Sequence, residues 1–275
     1  MSLVKHRRNV VIQLLAIACM LIMLFPFILV LLNAFKTRTE IIKNPLALPA
    51  GLSFQNFITA WKTMNFPRVL GNTVYVTVLS QIVLIVFGSM LAYMLVRWNW
   101  KINKIILGVL VCAMIIPFQS LMIPFVSIFG KLGWMNSKTA LVFFYLGFGM
   151  PMTTFMYHGF IKSVSMEMEE AAMIDGCSHM ACFWKIIFPN LKSISTTILI
   201  INILWTWNDF LLPSLVLVKD KARTIPLSTF YFFGEYTAEL GYAMSALILS
   251  VLPVVVVYLF LQKQIVSGVM DGAIK

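Results

Sequence analysis

The chain has 275 residues, of which 60% are apolar and only 11% are charged, and its mean hydropathy is +0.91. Soluble domains carry about 25% charged residues, so this composition excludes a soluble globular protein and predicts a polytopic membrane protein. We interpret the net charge of +11 as anchoring to the membrane surface and not as nucleic-acid binding.

Six apolar windows are each long enough to cross a bilayer, because a hydrocarbon core of about 30 Å needs about 20 helical residues. Their only Asp, Glu, His, Lys or Arg side chains are His158 and Asp209. We therefore expect an all-α fold, a single transmembrane domain over residues 1–275 with six transmembrane helices. The windows cover residues 11–32, 73–96, 105–129, 139–160, 195–218 and 242–261.

The first window follows the basic residues Lys5, Arg7 and Arg8. Its apolar run is too long for a signal peptide and lacks a small-residue cleavage site, so we expect a retained first span. Six spans place both termini on one side, and the positive-inside rule favours the cytoplasm. The loop at 161–190, between the fourth and fifth spans, is then cytoplasmic.

An amphipathic helix is predicted between the first two spans. Phe54, Phe57, Ile58 and Trp61 have the spacing of one helical face, and Ser53 is in place to cap it. We expect this helix to lie flat at the outer membrane interface. An ordinary ordered loop is the alternative.

The cytoplasmic loop contains the pattern of two short helices. Ser165 is a candidate N-cap, and Glu167, Glu169 and Glu170 place negative charge in the first turns, where the helix dipole favours it. Gly176 follows where the helix must stop, because glycine accepts the left-handed conformation without steric cost.

The second short helix is predicted to begin after Ser178 as its N-cap. Phe183, Ile186 and Ile187 share one face of it, and Pro189 is expected to end it. Cysteine and histidine residues in this helix also form a C-x-H-x2-C run, but that spacing matches no four-ligand zinc pattern. We interpret those residues as packing positions, at 177, 179 and 182.

The loop resembles the EAA signature of the membrane subunits of bacterial ATP-binding-cassette importers, except that Phe188 stands where leucine is usual. The resemblance implies a type I importer permease fold and a coupling helix that sits in a groove of an ATPase. The residues implied to couple to the ATPase are Glu169, Glu170, Ala171, Ala172, Asp175, Gly176, Phe183, Ile186 and Pro189.

Two further stretches narrow the resemblance to carbohydrate importers of the maltose type. The run from Trp207 to Phe210 is similar to the W-N-[DE]-F of sugar permeases, and the ending from Gln262 onward is similar to that of their MalG-like subunit. The resemblance implies that the tail contacts the ATPases, at Gly268, Gly272 and Lys275.

The chain has no G-x-x-x-x-G-K-[ST] motif for binding nucleotide phosphates. A non-catalytic subunit without a cofactor is therefore expected, with ATP hydrolysed by partners. The resemblance implies an assembly in the bacterial inner membrane with a second homologous permease, two ATPase subunits and an extracytoplasmic solute-binding protein. Membrane lipid is the remaining expected partner.

Asp209 is the one carboxylate within a predicted span, and intramembrane acids usually face a cavity or a partner. With Asn208 it offers hydrogen bonds to a hydroxyl-rich solute, while Trp205 and Trp207 offer flat apolar faces. The other interpretation is structural, with Asp209 bonded inside the bundle beside Pro213.

Two other functions remain open. The EAA signature is shared by importers of non-sugar solutes, and Asp209 would also serve as the ion site of a gradient-driven secondary transporter. Secondary transporters often have broken helices or inverted repeats, and no clear pair of interrupted spans is visible in the sequence. A membrane enzyme is disfavoured because neither H-E-x-x-H nor G-x-S-x-G occurs.

Overall fold

The computed structural model describes the backbone of residues 2–233 and 240–273, without the side chains of 2–8, 10, 11, 260, 261 and 263–273. Within these ranges the chain is helical and has no strand. The α-helices are α1 (Ser2–Ala34), α2 (Arg38–Lys43), α3 (Gln55–Met64), α4 (Phe66–Arg97), α5 (Lys101–Ile115), α6 (Phe118–Lys131), α7 (Lys138–Ile161), α8 (Glu167–Ile174), α9 (His179–Cys182), α10 (Phe188–Asn190), α11 (Lys192–Asn208), α12 (Leu211–Val216), α13 (Ile225–Phe230) and α14 (Leu240–Ala273).

Four helices are long and apolar enough to cross a membrane: Ile12–Ala34 of α1, α4, α7, and Leu240–Leu259 of α14. Two bent pairs of helices raise the number to six if each pair is one span. The first pair is α5 with α6, which meet at 103°, and the second is His179–Asn190 with α11, which meet at 75°. The six-span topology therefore stays a prediction.

The break between α5 and α6 lies inside the predicted window 105–129. Pro117 is the N-cap of α6, and Ile116 before it has an extended conformation with ψ 117°. Proline has no N–H and disfavours the helical conformation in the residue before it. This window is therefore two helices and not one.

A second interruption lies inside the predicted window 195–218. The helix α11 ends at Asn208, Asp209 is extended with ψ 128°, and α12 begins at Leu211. The Asp209 carboxylate accepts the N–H of Leu211 at 2.9 Å, a local bond that competes with continuation of the helix. The expectation of no interrupted spans is therefore wrong.

The chain forms two compact units, and the first comprises residues 1–66 and 228–256. Here the backbone turns sharply after α1, and Lys36 lies fully buried. Its ammonium group donates to Asn33 Oδ1 at 3.1 Å and to the carbonyls of Asn44 and Pro45 at 3.2 and 3.0 Å. A Cβ at Gly241 would lie 3.0 Å from the Lys36 carbonyl oxygen, so this close approach requires glycine.

The short helix α2 begins with a capping box. Thr37 Oγ1 accepts the N–H of Glu40, and the Glu40 carboxylate accepts the Thr37 N–H at 2.8 Å. The hydrogen bonds from the Thr37 backbone and hydroxyl hold the pKa of the Glu40 carboxyl below the ordinary value.

The predicted helix after Ser53 exists as α3, but Phe54 and not Ser53 occupies its N-cap. Ser53 Oγ instead accepts the N–H of Gln55 at 3.3 Å. Phe54, Ile58 and Trp61 are exposed on the chain. These apolar side chains suit the predicted position at a membrane interface.

The second unit comprises residues 67–227 and 257–275 and has two apolar clusters among its described residues. The first joins α4, α6, α7 and α12 through Val76, Phe125, Leu141, Val142, Phe144, Tyr145, Leu212, Val216 and Leu217. The second joins α4, α7 and α11 to the predicted cytoplasmic loop through Ala92, Tyr93, Tyr157, Ile161, Phe183, Ile187, Leu191 and Ile198.

Candidate coupling hairpin and transmembrane cavity

The two short helices of the predicted cytoplasmic loop form a helical hairpin at residues 167–190. Its first helix is α8, which begins one residue later than the sequence predicts. Met166 is its N-cap and makes no side-chain capping bond. Ser165 is therefore not the N-cap, although its hydroxyl accepts the N–H of Glu167 at 3.1 Å. The acidic residues of α8 do occupy its first turn, where the helix dipole favours them.

Gly176 turns the chain at the end of α8. Its φ is +86°, and its N–H donates to the Met173 carbonyl at 3.0 Å. The N–H of Cys177 donates to the Ala172 carbonyl, also at 3.0 Å. This pair of bonds is the Schellman motif, which closes a helix with a left-handed residue. The structure confirms the helix end that the sequence predicts at Gly176.

The second helix begins as predicted, with the Ser178 hydroxyl accepting the N–H of Ala181 at 3.3 Å. It then widens into a π-helical turn at Phe183–Ile187, in which the Phe188 N–H donates to the Phe183 carbonyl. Pro189 follows within α10 and does not end the helical run, which continues to Asn190. The wider turn relieves the crowding that a proline ring imposes on the preceding carbonyls.

Glu169 holds the hairpin to α4. It is 3% exposed, and its carboxylate accepts from Arg97 Nε at 2.5 Å and from the Tyr93 hydroxyl at 2.9 Å. Arg97 also donates to the Val164 carbonyl at 2.9 Å. Because one guanidinium bonds both ends of the segment that leads into α8, the hairpin is fixed to the end of α4.

The predicted coupling residues divide between two sides of the hairpin. The side chains of Glu169, Ala172 and Phe183 are buried, and Ile186 is half-buried. The exposed residues are Glu170, Ala171, Asp175, Gly176 and Pro189. Next to them Ile174 is 86% exposed, which leaves a large apolar side chain available on the outer side.

Tyr93 and Arg97, the two side chains that bind Glu169, were not predicted as functional residues. A signal was present, since Arg97 is the basic residue that follows the predicted window 73–96. The predicted tail positions Gly268 and Gly272 lie in α14, where side chains are not described, and Lys275 lies outside the described residues.

A cavity of about 690 Å³ opens in the second unit beside α11 and α12. Trp205 and Asp209 line it together with Gln119 and several phenylalanines. Trp207 is buried elsewhere, and the Asn208 amide donates to the Leu204 carbonyl at 2.8 Å. Of the four predicted pathway residues, the structure brings two to this cavity.

The Asp209 carboxylate already has partners within the chain. One oxygen accepts from the Tyr145 hydroxyl at 2.9 Å and the other from the N–H of Leu211. Tyr145 also packs edge-on against Trp205, with ring centroids 5.4 Å apart. Asp209 therefore joins α7 to the start of α12, which favours the structural interpretation of this residue.

These features define the class of the protein. It has membrane-spanning helices, a cavity between them, and a rigid hairpin whose outer side is exposed, which together describe a membrane transport subunit. The chain belongs to the family of binding-protein-dependent transport system inner membrane components, whose profile matches residues 84–271.

Two relatives are similar over nearly their whole length. The chain is 41% identical to the "Probable starch degradation products transport system permease protein AmyC" of Thermoanaerobacterium thermosulfurigenes, covering 98% of each chain. It is 36% identical to the "Melibiose/raffinose/stachyose import permease protein MelC" of Bacillus subtilis (strain 168), covering 91% of each. The resemblance to importer permeases is thereby confirmed.

A solved structure shares the fold. It is described as a bacterial ABC transporter involved in the import of the acidic polysaccharide alginate, and it matches with a TM-score of 0.78 at 20% identity. The match covers 94% of this chain and 96% of the other. The all-α, type I importer permease fold predicted from the sequence is confirmed.

Proposed function

We propose that this chain is the permease subunit of an ATP-driven importer for oligosaccharides and forms half of the translocation pathway. The observation that carries the proposal is the similarity over 98% of the chain to a permease named for starch degradation products. The relative named for melibiose, raffinose and stachyose supports the same chemical class.

The cavity beside α11 suits a hydroxyl-rich solute. Six phenylalanines and Trp205 are among its otherwise mostly apolar lining residues, and Gln119 and Asp209 add polar groups. Sugar-sized ligands are held in such sites by apolar faces with a few oriented polar groups. Trp205 is 39% exposed, so we assign it the role of an aromatic face for a sugar ring.

We assign the outer side of the hairpin to an ATPase subunit. Glu170, Asp175 and Gly176 lie there, with the exposed Ile174 as an apolar contact. The ion pair of Glu169 and the Schellman motif at Gly176 make the hairpin stiff. A stiff hairpin transmits movement of an ATPase to the membrane helices. The bound ATPase then favours one of two conformations of those helices.

We infer the complete assembly from these two roles, the solute cavity and the ATPase contact. It pairs the chain with a second, homologous permease, two ATPases that hydrolyse ATP, and an extracytoplasmic solute-binding protein. Both termini and the hairpin are in the cytoplasm. In this assembly the tail at Gly268, Gly272 and Lys275 also reaches the ATPases.

Reconstitution tests the proposal. The chain is co-expressed with its companion subunits, purified in complex and placed in proteoliposomes with ATP. ATP hydrolysis is then measured with the binding protein loaded with maltooligosaccharide, with raffinose or with an amino acid. We expect stimulation by a loaded sugar and co-purification of the ATPase. Stimulation by the amino acid alone contradicts the substrate class, and failure of the ATPase to co-purify contradicts the coupling assignment.

A further inference from the structure

A second apolar recess lies between the end of α4 and α9, the short helix in the second half of the hairpin. It has a volume of about 460 Å³. Four of its lining residues are methionines, which are flexible and adapt to irregular ligands. They are Met90, Met94, Met150 and Met180.

The walls of this recess, hereafter the methionine groove, offer almost no polar group. Tyr93 lines it, but its hydroxyl is turned to Glu169. His179 packs its ring against Trp98, with centroids 5.4 Å apart. An occupant inside the groove is therefore an apolar chain, because a polar group there would lose its hydration without gaining a hydrogen bond.

The first turn of α5, which carries two lysines, is bonded to residues of the methionine groove. The Asn103 amide donates to the carbonyls of two groove residues, Met94 at 3.3 Å and Trp98 at 2.6 Å. These bonds hold the first turn of α5 at the end of α4. Lys101 and Lys104 flank Asn103 on that turn, and both are exposed.

Nothing acidic in the described residues neutralises these two lysines. No Asp or Glu occurs between residues 41 and 166, and the nearby carboxylate of Glu169 is bound by Arg97. The N-cap of α5, Trp100, makes no side-chain capping bond. The helix dipole therefore adds positive potential where the lysines already favour an anion.

We propose that the methionine groove binds an acyl chain of an anionic phospholipid whose phosphate lies at Lys101 and Lys104. An apolar recess bonded to a turn with two exposed lysines matches the layout of such a lipid, with its apolar tail and anionic headgroup. Trp98 lines the groove and packs against Trp100, with ring centroids 6.4 Å apart, and tryptophans are enriched at the boundary of the bilayer. Because Met180 and Phe183 form part of the wall, the lipid contacts the hairpin itself.

Lipid titration tests the site independently of the solute that the protein carries. The chain is purified with its companion subunits, stripped of lipid, and titrated with phosphatidylglycerol or with phosphatidylcholine of the same acyl chains. Native mass spectrometry counts the bound lipids. We expect tighter binding of phosphatidylglycerol, and roughly 30-fold weaker binding of it after K101Q/K104Q, since each basic residue contributes about fivefold.

Two matched controls accompany these variants. K43Q/K131Q removes two exposed lysines elsewhere and should leave lipid binding unchanged. M90W narrows the groove and should weaken both lipids, whereas V74W places the same bulk at an exposed position of α4 outside the groove and should weaken neither. Co-purification of the subunits shows that each variant is assembled.

Three results overturn the proposal. They are equal affinity for the two lipids, unchanged phosphatidylglycerol binding in K101Q/K104Q, and unchanged binding in M90W. A Met180→Cys variant that cross-links in high yield to the companion permease also overturns it, because a protein segment would then cover the groove.

Discussion

Arg97 and Glu169 form a buried ion pair that joins the end of α4 to the first turn of α8, across 72 residues of sequence. Their side chains are 9% and 5% exposed, so water screens the pair little. The same carboxylate receives the Tyr93 hydroxyl. These contacts tie the hairpin directly to α4.

Glu169→Gln should weaken both stability and coupling. It leaves the guanidinium buried without its counter-charge, and breaking a buried pair costs about 3–5 kcal/mol. We expect a lower thermal inactivation temperature and less uptake per ATP hydrolysed in proteoliposomes. Glu167→Gln is the matched control, at an exposed position of the same turn. Equal loss in both variants, or none in Glu169→Gln, would show that the ion pair has no special role.

Gly176→Val should impair uptake through the backbone alone. A Cβ at this position meets no atom within 4 Å, but a left-handed φ costs an ordinary residue about 1–2 kcal/mol. Gly176→Asn should be milder, because asparagine tolerates this conformation. Gly159→Ala controls for added volume, since its Cβ also meets nothing. ATP-driven uptake and ATPase co-purification are measured together, and normal values for Gly176→Val would refute the coupling assignment.

Asp209→Asn distinguishes a structural carboxylate from an ion site. Because Asp209 accepts from Tyr145 and Leu211, we expect partial loss of thermal stability, and a similar loss in Tyr145→Phe. Hydrogen bonds to a charged group contribute about 1.5–3 kcal/mol. Uptake should continue when an uncoupler is added at constant ATP. Its abolition by the uncoupler and by Asp209→Asn would instead support a gradient-driven transporter.

Trp205 and Trp207 should respond differently to alanine. Trp205 lines the cavity and is half-exposed, so its loss should raise the KM of uptake roughly 2- to 10-fold. Trp207 is 7% exposed, and truncating a buried tryptophan costs about 3–5 kcal/mol. We therefore expect lower yield of assembled complex from Trp207→Ala. An unchanged KM in Trp205→Ala would remove the aromatic face from the proposed pathway.

Lys36→Met should destabilise the first unit even though the side chains are similar in length. It removes the donor shared by Asn33 and the carbonyls of Asn44 and Pro45, and leaving the buried acceptor Asn33 Oδ1 unpaired costs about 1–3 kcal/mol. Limited proteolysis of the loop after α1 measures the effect. The Lys43→Met variant, changed at an exposed position, should be cleaved at the wild-type rate. Equal cleavage rates for the wild type and both variants would contradict the role of Lys36.

Local chemistry explains which details of the hairpin were predictable. Gly176 and Ser178 act on backbone groups within five residues, so their patterns correctly predicted a helix end and a helix start. The N-cap at Met166 was not predicted. Ser165, one residue earlier, is a better capping residue by type, and its hydroxyl accepts the N–H of Glu167 without being the N-cap. Pro189 was expected to end the helix, which ends one residue later at Asn190, after a π-helical turn that accommodates the proline.

Composition and short-range pattern by themselves determined that this chain is a helical membrane protein with two short helices turned at Gly176, and the resemblance to a known signature added the EAA assignment. Those properties depend on hydropathy and on bonds between near neighbours. Only the tertiary structure decided that Glu169 turns inward to Arg97, that Asp209 is held by Tyr145, and that Trp205 and not Trp207 faces the cavity. The two bonded pairs are brought together by helix packing across 72 and 64 residues of sequence. Spacing along the sequence does not predict which side chains meet at such a separation.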